Sequence, residues 1–173
     1  MGAGMSTLAE LLGRSPVSVQ RISGSFGYQE LNKNLTIAAV NPAKTIVRLN
    51  AAPYLLNAYA GQNDYMAASL LTSATNVQVG TLGGGYSDYI QFSLEVIDLG
   101  NIVKNVQRGT LTGSATTTTI SSINPSKSLL LVETATVTTS LLRVRYTLNS
   151  TSIAWGAAPG SNVTFSWQLV EFY

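Results

Sequence analysis

The chain of 173 residues has ten basic and eight acidic side chains, so only 10% of its residues are charged and its net charge is +2. A charged fraction of about 25% is typical of globular domains, and here Thr, Ser, Asn, Gly and Ala fill the deficit. Cysteine and histidine are both absent, which excludes disulfides and thiol chemistry and removes the commonest general base and the usual zinc ligands.

These properties also restrict the partners. The basic excess is small and forms no run that could follow a phosphate backbone, so we expect no nucleic-acid partner. No apolar run approaches the roughly 20 residues that a membrane span requires. A surface of hydroxyls and amides carries little charge to keep copies apart, which favours contact between subunits. We therefore predict a homo-oligomer, with neither a metal nor another cofactor.

The first predicted element is a short helix in the stretch STLAELLGR. Thr7 and Glu10 can form a capping box, and Gly13 can end the helix. One face of the helix carries Leu8, Leu11 and Leu12. Because so short a helix is not stable alone in water, this face must be buried against the chain itself or a neighbour. We interpret residues 1–17 as an anchoring segment.

From residue 18 onward the pattern is that of half-buried antiparallel strands. The stretches YIQFSLEVI, LLRVRYTL and NVTFSWQLVEF alternate apolar and polar residues. Their predicted core residues include Phe92, Leu94, Val144, Tyr146, Phe165 and Trp167. The intervening Ser166 and Gln168 are predicted to face outward. Turn signals every 8–12 residues or so indicate a sandwich or a barrel.

The sequence also repeats itself. TIAAVNPAKTIVRL (36–49) aligns with TISSINPSKSLLLV (119–132) at an offset of 83, and VQRISG (19–24) aligns with VQRGTLTG (106–113). QFSLEVIDL (91–99) aligns with TFSWQLVEF (164–172) at an offset of 73. Loops of different length between matching strands explain the changing offset. We predict an all-β protein of two tandem antiparallel β-sandwich modules of similar topology, 18–100 and 101–173, preceded by the short N-terminal helix.

Each copy contains Asn-Pro-x-Lys, at residues 41–44 and 124–127. Asparagine suits the start of a turn, and proline presets the backbone at its second position. The pattern predicts a hairpin corner, followed by a strand whose first residues carry a lysine amine to solvent or to a neighbouring carboxylate.

This layout resembles the small β-sandwich modules of bacteriophage virion proteins, which often carry a glycine, then a threonine and an isoleucine, then Val or Ile, and then Lys-Ser or Lys-Thr. The two copies read Gly24…Thr36-Ile37…Val40…Lys44-Thr45 and Gly113…Thr119-Ile120…Ile123…Lys127-Ser128. The resemblance implies a non-enzymatic tail, neck, fibre or capsid decoration protein in the virion. It also implies other virion proteins as partners, commonly in trimers or rings.

The segment PYLLNAYAGQNDYMA leaves a second function open. Its candidate contact residues are Tyr54, Tyr59, Asn63 and Tyr65. Aromatic rings cover the apolar faces of sugars while amides bond their hydroxyls, and the same composition suits a protein interface. A receptor-recognition module that binds a host surface glycan is therefore the alternative to a purely structural role.

An enzyme would have to use paired carboxylates, the only acid–base chemistry that this composition leaves. Asp64 and Asp88 lie near predicted loops. Glu95 and Asp98 are an odd number of residues apart on one predicted strand, so they point to opposite faces. We predict no catalytic residues, with a polysaccharide depolymerase as the remaining enzymatic alternative.

Overall fold

The computed structural model describes residues 18–26, 30, 32–52, 67–81, 91–113, 115–136, 145–156 and 160–173. In these residues the regular structure is β, apart from three short 3-10 turns, as the all-β prediction requires. The predicted helix with Leu8, Leu11 and Leu12 lies outside the described residues, as does the predicted core residue Val144. None of the described helical turns is long and apolar enough to cross a membrane.

The described residues form two sets of six strands. The first half contains β1 (Ser18–Ser25), β2 (Asn32–Thr36), β3 (Thr45–Ala52), β4 (Ala67–Ser73), β5 (Asn76–Thr81) and β6 (Gln91–Asp98). The second half contains β7 (Val103–Gly113), β8 (Thr117–Thr119), β9 (Ser128–Thr136), β10 (Tyr146–Leu148), β11 (Ser152–Trp155) and β12 (Gly160–Phe172). The 3-10 turns are Pro42–Lys44, Gly100–Ile102 and Pro125–Lys127.

These strands pair into four three-stranded antiparallel sheets, whose order is the same in both halves. The first half forms sheet A (β1-β6-β3) and sheet B (β2-β5-β4). The second half forms sheet C (β7-β12-β9) and sheet D (β8-β11-β10). Adding six to each strand number converts sheet A into sheet C and sheet B into sheet D, so the repeated sequence folds with a repeated topology.

The pairing register repeats as well. In sheet A Arg21 lies opposite Glu95, and in sheet C Arg108 lies opposite Gln168. Arg21 and Arg108 correspond at the sequence offset of 87, and Glu95 and Gln168 correspond at the offset of 73. The neighbouring pairs of the two sheets correspond at the same offsets. Because a slip of one residue would turn every side chain to the other face, the aligned segments place equivalent residues on equivalent faces.

The Asn-Pro segments are not hairpin corners, and that prediction is wrong. Each turn connects strands of two different sheets, β2 with β3 and β8 with β9. Before the turn, the backbone N–H of Val40 donates to Ala74 at 2.9 Å, and that of Ile123 donates to Ser150 at 2.8 Å. Since the chain bonds there to the connection between two other strands, it cannot fold back on the strand that follows.

The turns themselves form as asparagine and proline favour. The side-chain oxygen of Asn41 accepts from the N–H of Ala43 at 3.0 Å, and that of Asn124 accepts from the N–H of Ser126 at 3.1 Å. The hydroxyls of Thr45 and Ser128 both donate to the carbonyl of the asparagine, at 2.8 Å in each half. The short motif thus produces the same local structure twice.

Each half has a cluster of buried apolar side chains of its own. The first comprises Phe26, Ile37, Val47, Leu71, Val77, Val79, Phe92, Leu94 and Val96. The second comprises Leu111, Ile120, Ile123, Leu130, Ile153, Trp155, Phe165, Trp167 and Leu169. The predicted core residues Phe92, Leu94, Phe165 and Trp167 lie in these clusters.

Tyr146 is not a core residue, contrary to the sequence prediction, because its side chain is 44% exposed. It lies opposite Trp155 in the pairing of β10 with β11, so the two side chains share a face. β10 is the outermost described strand of sheet D. The ring therefore covers only the edge of Trp155, with 6.5 Å between ring centroids, and its outer side remains accessible.

Glycine lies beneath a buried aromatic ring in both large sheets. A Cβ on Gly24 would come within 2.7 Å of the Phe92 ring, and a Cβ on Gly109 within 2.8 Å of the Trp167 ring. Both distances are shorter than van der Waals contact, so these rings pack directly on the glycine backbone. The absent side chain is what lets Trp167 fill the second cluster.

We expect Gly109→Ala to lower the free energy of unfolding by about 1–3 kcal/mol, the usual cost of overpacking a core. The measurement is chemical denaturation followed by tryptophan fluorescence. Thr110→Ala is the matched control, because Thr110 is the next residue of β7 and is exposed, and its effect should stay within about 0.5 kcal/mol. Equal stability of the two variants would contradict the packing of Trp167 on Gly109.

Candidate functional site

The strand β12 is buried on both faces, which corrects the sequence prediction. Phe165, Trp167 and Leu169 point into the second cluster as expected. Ser166 and Gln168, predicted to face outward, are only 4% and 3% exposed. The reason is that the outer face of sheet C packs against the first half, where β3 and β4 present their free edges. We call this contact the junction.

Gln168 binds the backbone of β3 with both ends of its amide. Its Oε1 accepts from the N–H of Val47 at 2.7 Å, and its Nε2 donates to the carbonyl of Val47 at 2.6 Å. Nearby, the hydroxyl of Ser166 donates to the carbonyl of Ser69 on β4 at 2.6 Å. A primary amide is the only uncharged side-chain group that can accept and donate in this way, so Gln168 takes the place of a neighbouring strand.

Glu133 on β9 binds both edges at once. Its Oε1 accepts from the N–H of Leu49 at 2.9 Å, while its Oε2 accepts from the N–H and the hydroxyl of Ser69, each at 2.7 Å. Burial raises the pKa of this carboxyl, and the three hydrogen bonds oppose that rise without cancelling it. Unpaired strand edges are sites of unwanted association, and here side chains satisfy them.

Two basic side chains cross the junction in opposite directions. Arg108 donates to the carbonyls of Pro42 and Thr45, and its burial lowers its pKa. Lys44 donates to the carbonyls of Val103 and Lys104. The amine of Lys44 thus meets backbone carbonyls of β7 instead of the predicted carboxylate, whereas the equivalent Lys127 is exposed, as predicted.

Apolar side chains complete the junction beside these polar contacts. Val103, Val106 and Val170 of the second half form a buried cluster with Ile46, Leu99 and Ile102. Next to it Glu171 accepts from the N–H of Asn124 at 2.9 Å and from the amine of Lys104 at 3.2 Å. The bond from Asn124 is the main reason that the pKa of Glu171 lies below its ordinary value.

The outer face of sheet A corresponds to the outer face of sheet C. Described residues of the second half pack only on its Ile46 end, and its side chains at Arg21, Arg48 and Ser93 are exposed. It carries a shallow depression lined by Ser23, Ser25, Asn50, Gln91 and Ser93, whose side chains are exposed. Glu95 lies beside the depression and pairs with Arg21 at 3.0 Å and with Arg48 at 3.9 Å. This is a hydroxyl- and amide-rich surface with one small charge network.

Most sequence-predicted site residues lie outside the described residues. These are the anchor residues Leu8, Leu11 and Leu12, the contact candidates Tyr54, Tyr59, Asn63 and Tyr65, and the carboxylates Asp64 and Asp88. Within the described part of the chain, no cluster of three or more His, Cys, Asp or Glu side chains could hold a metal ion. Asp98 accepts from the N–H of Gly100 at 2.9 Å and so serves the turn after β6.

Sequence reasoning missed the junction, although one signal pointed to it. The outward positions of β12 carry Ser166, Gln168 and Val170, which are all uncharged, whereas the equivalent positions of β6 include Glu95. A face without charge and with a valine can be buried against another surface.

Comparison of the chain with protein families, with curated proteins and with solved structures found no match.

We expect Gln168→Glu to lower the free energy of unfolding by about 1–3 kcal/mol, because a carboxylate cannot donate to the carbonyl of Val47. The measurement is denaturant unfolding of the dilute protein. Glu95→Gln is the matched control, since it makes the reverse change at the equivalent, half-buried position, and its effect should stay below about 1 kcal/mol. A Gln168→Glu variant as stable as its parent would contradict the bidentate contact.

The two buried carboxyls at the junction should give pH dependences of opposite sign. The raised pKa of Glu133 means that its ionisation costs stability, so its contribution falls as pH rises above 4.5, the ordinary value. The lowered pKa of Glu171 means that its contribution is present above 4.5 and is lost as pH falls below it.

Unfolding free energies from pH 3 to pH 8 test this on Glu133→Gln and Glu171→Gln. The stability of the parent minus that of Glu133→Gln should decrease with rising pH, while the parent minus Glu171→Gln should increase. Slopes of the same sign for both variants would show that the environments of the two carboxyls are assigned wrongly.

Proposed function

We propose that the chain is a non-enzymatic structural component of a bacteriophage particle, a tail, neck or capsid appendage that assembles through protein–protein contacts. In this proposal residues 1–17 anchor the chain to other virion proteins. Residues 18–100 and 101–173 form two β-sandwich modules of common ancestry, each closing a core between its two sheets.

The separate buried clusters support the division into modules. Val40 packs against the first cluster and the equivalent Ile123 belongs to the second. The side chain of Gln20 bonds to the backbone of Ala38 at 2.8 and 3.0 Å. The side chain of Gln107 bonds to Ser121 at 2.7 and 3.0 Å in the same way. Equivalent hydrogen bonds at this level of detail favour duplication over convergence on a common composition.

The observation that carries the proposal is the junction itself. The two halves are fixed together by side chains that bond to strand edges, and much of the remaining described surface carries uncharged polar side chains. Such a chain is suited to repeated protein contacts rather than to binding one small molecule. The resemblance of the Gly…Thr-Ile…Lys stretches to phage virion modules then indicates the particle in which the contacts are made.

Mass spectrometry of purified particles, combined with deletion of residues 1–15, tests the proposal. The intact chain should copurify with particles at a fixed copy number. The truncated chain should give the same β-type circular dichroism spectrum and a cooperative melt, but should fail to incorporate. Normal incorporation of the truncated chain would contradict the anchor, and absence of the intact chain from particles would contradict the structural role.

A glycan array separates the alternatives. Binding of the intact chain to a host surface glycan that is lost in Tyr59→Ala or Tyr65→Ala would favour receptor recognition. Degradation of a polysaccharide that is abolished by Asp64→Asn with Asp88→Asn would favour a depolymerase.

A further inference from the structure

The junction joins two unlike surfaces of like modules. The first half contributes the free edges of β3 and β4, and the second half contributes the outer face of sheet C. Because both halves have the same topology, each also has the surface that the other one uses. The second half has its own terminal strands β9 and β10, and the first half has the outer face of sheet A.

The outer face of sheet A retains much of the chemistry that the junction uses on sheet C. The equivalent pairs, sheet A first, are Val19 and Val106, Arg21 and Arg108, Ser23 and Thr110, Ser93 and Ser166, Glu95 and Gln168, and Ile97 and Val170. On sheet C these positions, apart from the exposed Thr110, bind the first half or line the apolar cluster of the junction. On sheet A the arginine and the serines are exposed.

The edges of the second half retain the complementary features. Leu129 on β9 is the equivalent of Ile46 on β3, since each lies opposite the matching residue of the central strand. Ile46 packs against the cluster of Val103, Val106 and Val170 at the junction, but Leu129 is 48% exposed. Lys127, the equivalent of Lys44, is exposed as well.

Exposed apolar side chains coincide with these surfaces. The described residues include five exposed large apolar side chains, and three of them, Val19, Leu129 and Tyr146, lie on the two unoccupied surfaces. Val19 is 39% exposed, whereas its equivalent Val106 is 5% exposed at the junction. Val19 and Leu129 are thus the equivalents of two residues that pack together within the chain.

Two positions that differ between the halves differ in a matched way. At the junction Glu133 binds Ser69. The residue equivalent to Glu133 is Asn50 on sheet A, and the residue equivalent to Ser69 is Tyr146 on β10. An amide and a phenol hydroxyl can also form a hydrogen bond. Asn50 lines the depression on sheet A, so the depression lies where β4 sits on sheet C.

We propose that copies of this chain associate head to tail, with β9 and β10 of one copy docked on the outer face of sheet A of the next. Leu129 packs on Val19 and Ile97 of the next copy. Arg21 of the next copy donates to the carbonyls of Pro125 and Ser128, as Arg108 does to Pro42 and Thr45. Glu95 can accept from the N–H of Leu130, with Arg21 and Arg48 balancing its charge.

A contact between unlike surfaces closes into a ring when its rotation divides a full turn and extends into a filament otherwise. The inference deepens the assembly part of the proposed function, because it specifies which surfaces form the homo-oligomer. It requires no other virion protein, so it can be tested on the purified chain alone.

Cysteine cross-linking identifies the contacting surfaces. The parent sequence contains no cysteine, so Val19→Cys and Leu129→Cys each introduce a single thiol. When the two variants are mixed under oxidising conditions, a disulfide dimer that contains one chain of each kind is expected, and neither variant alone should cross-link. Dimers of Leu129→Cys alone would indicate a symmetric contact, and the absence of the mixed dimer would equally overturn the proposal.

Analytical ultracentrifugation measures the association itself. Leu129→Asp and Val19→Asp should each weaken self-association at least about tenfold, equivalent to roughly 1.4 kcal/mol, without altering the melting transition because both positions are exposed. Ala39→Asp, at an exposed position away from both surfaces, should associate like the parent.

Two results would overturn the head-to-tail contact: a parent chain that stays monomeric, or variants that associate as tightly as the parent. The particle experiment has a separate readout. A monomeric chain that still incorporates into particles would remove this contact and leave the proposed function standing. A chain that self-associates but never occurs in particles would leave this contact standing and remove the proposed function.

Discussion

The architecture depends on how two strand edges of the first half are satisfied. β3 and β4 each end a sheet, and their outward N–H and C=O groups meet the amide of Gln168 and the carboxylate of Glu133. A buried backbone group without a partner costs free energy comparable to a lost hydrogen bond. The outer face of sheet C therefore has to carry side chains of this chemistry, and the two halves are held in one relative position.

The repeated topology explains why the junction is asymmetric. Two halves with the same strand order offer the same edges and the same faces, and a contact of an edge with a face leaves one of each unused. The residues at equivalent positions differ with their burial: Gln168 is neutral where it is buried, and Glu95 is charged where it can pair with the exposed Arg21 and Arg48.

Much of the fold could be predicted from the sequence, for physical reasons. Alternation in YIQFSLEVI assigns Phe92 and Leu94 to the core because strand side chains point to opposite faces in turn. The aligned Asn-Pro segments predict equivalent turns, since asparagine and proline act locally. Whether the chain then pairs with the next strand is not a local property, and the hairpin prediction failed for that reason.

Alternation also cannot show what covers the second face of a strand. It assigned Ser166 and Gln168 outward correctly with respect to their own core, but outward in this case means toward the other half. For Tyr146 the prediction of the core-facing side was right, since it shares a face with Trp155. The prediction that it is buried was wrong, because a strand at the edge of a sheet has no neighbouring strand on one side. Both errors concern contacts between elements that are distant in the sequence.

Amide hydrogen exchange at Val47, Leu49 and Ser69 tests the central claim most directly. The account predicts that these three amides are as strongly protected as amides bonded within sheets A and B, although their N–H groups bond to side chains and not to a neighbouring strand. Exchange at rates typical of open strand edges, with the neighbouring sheet amides still protected, would contradict it. The side chains of sheet C would then not be bonded to those edges, and the junction would not be the constraint that fixes the two halves.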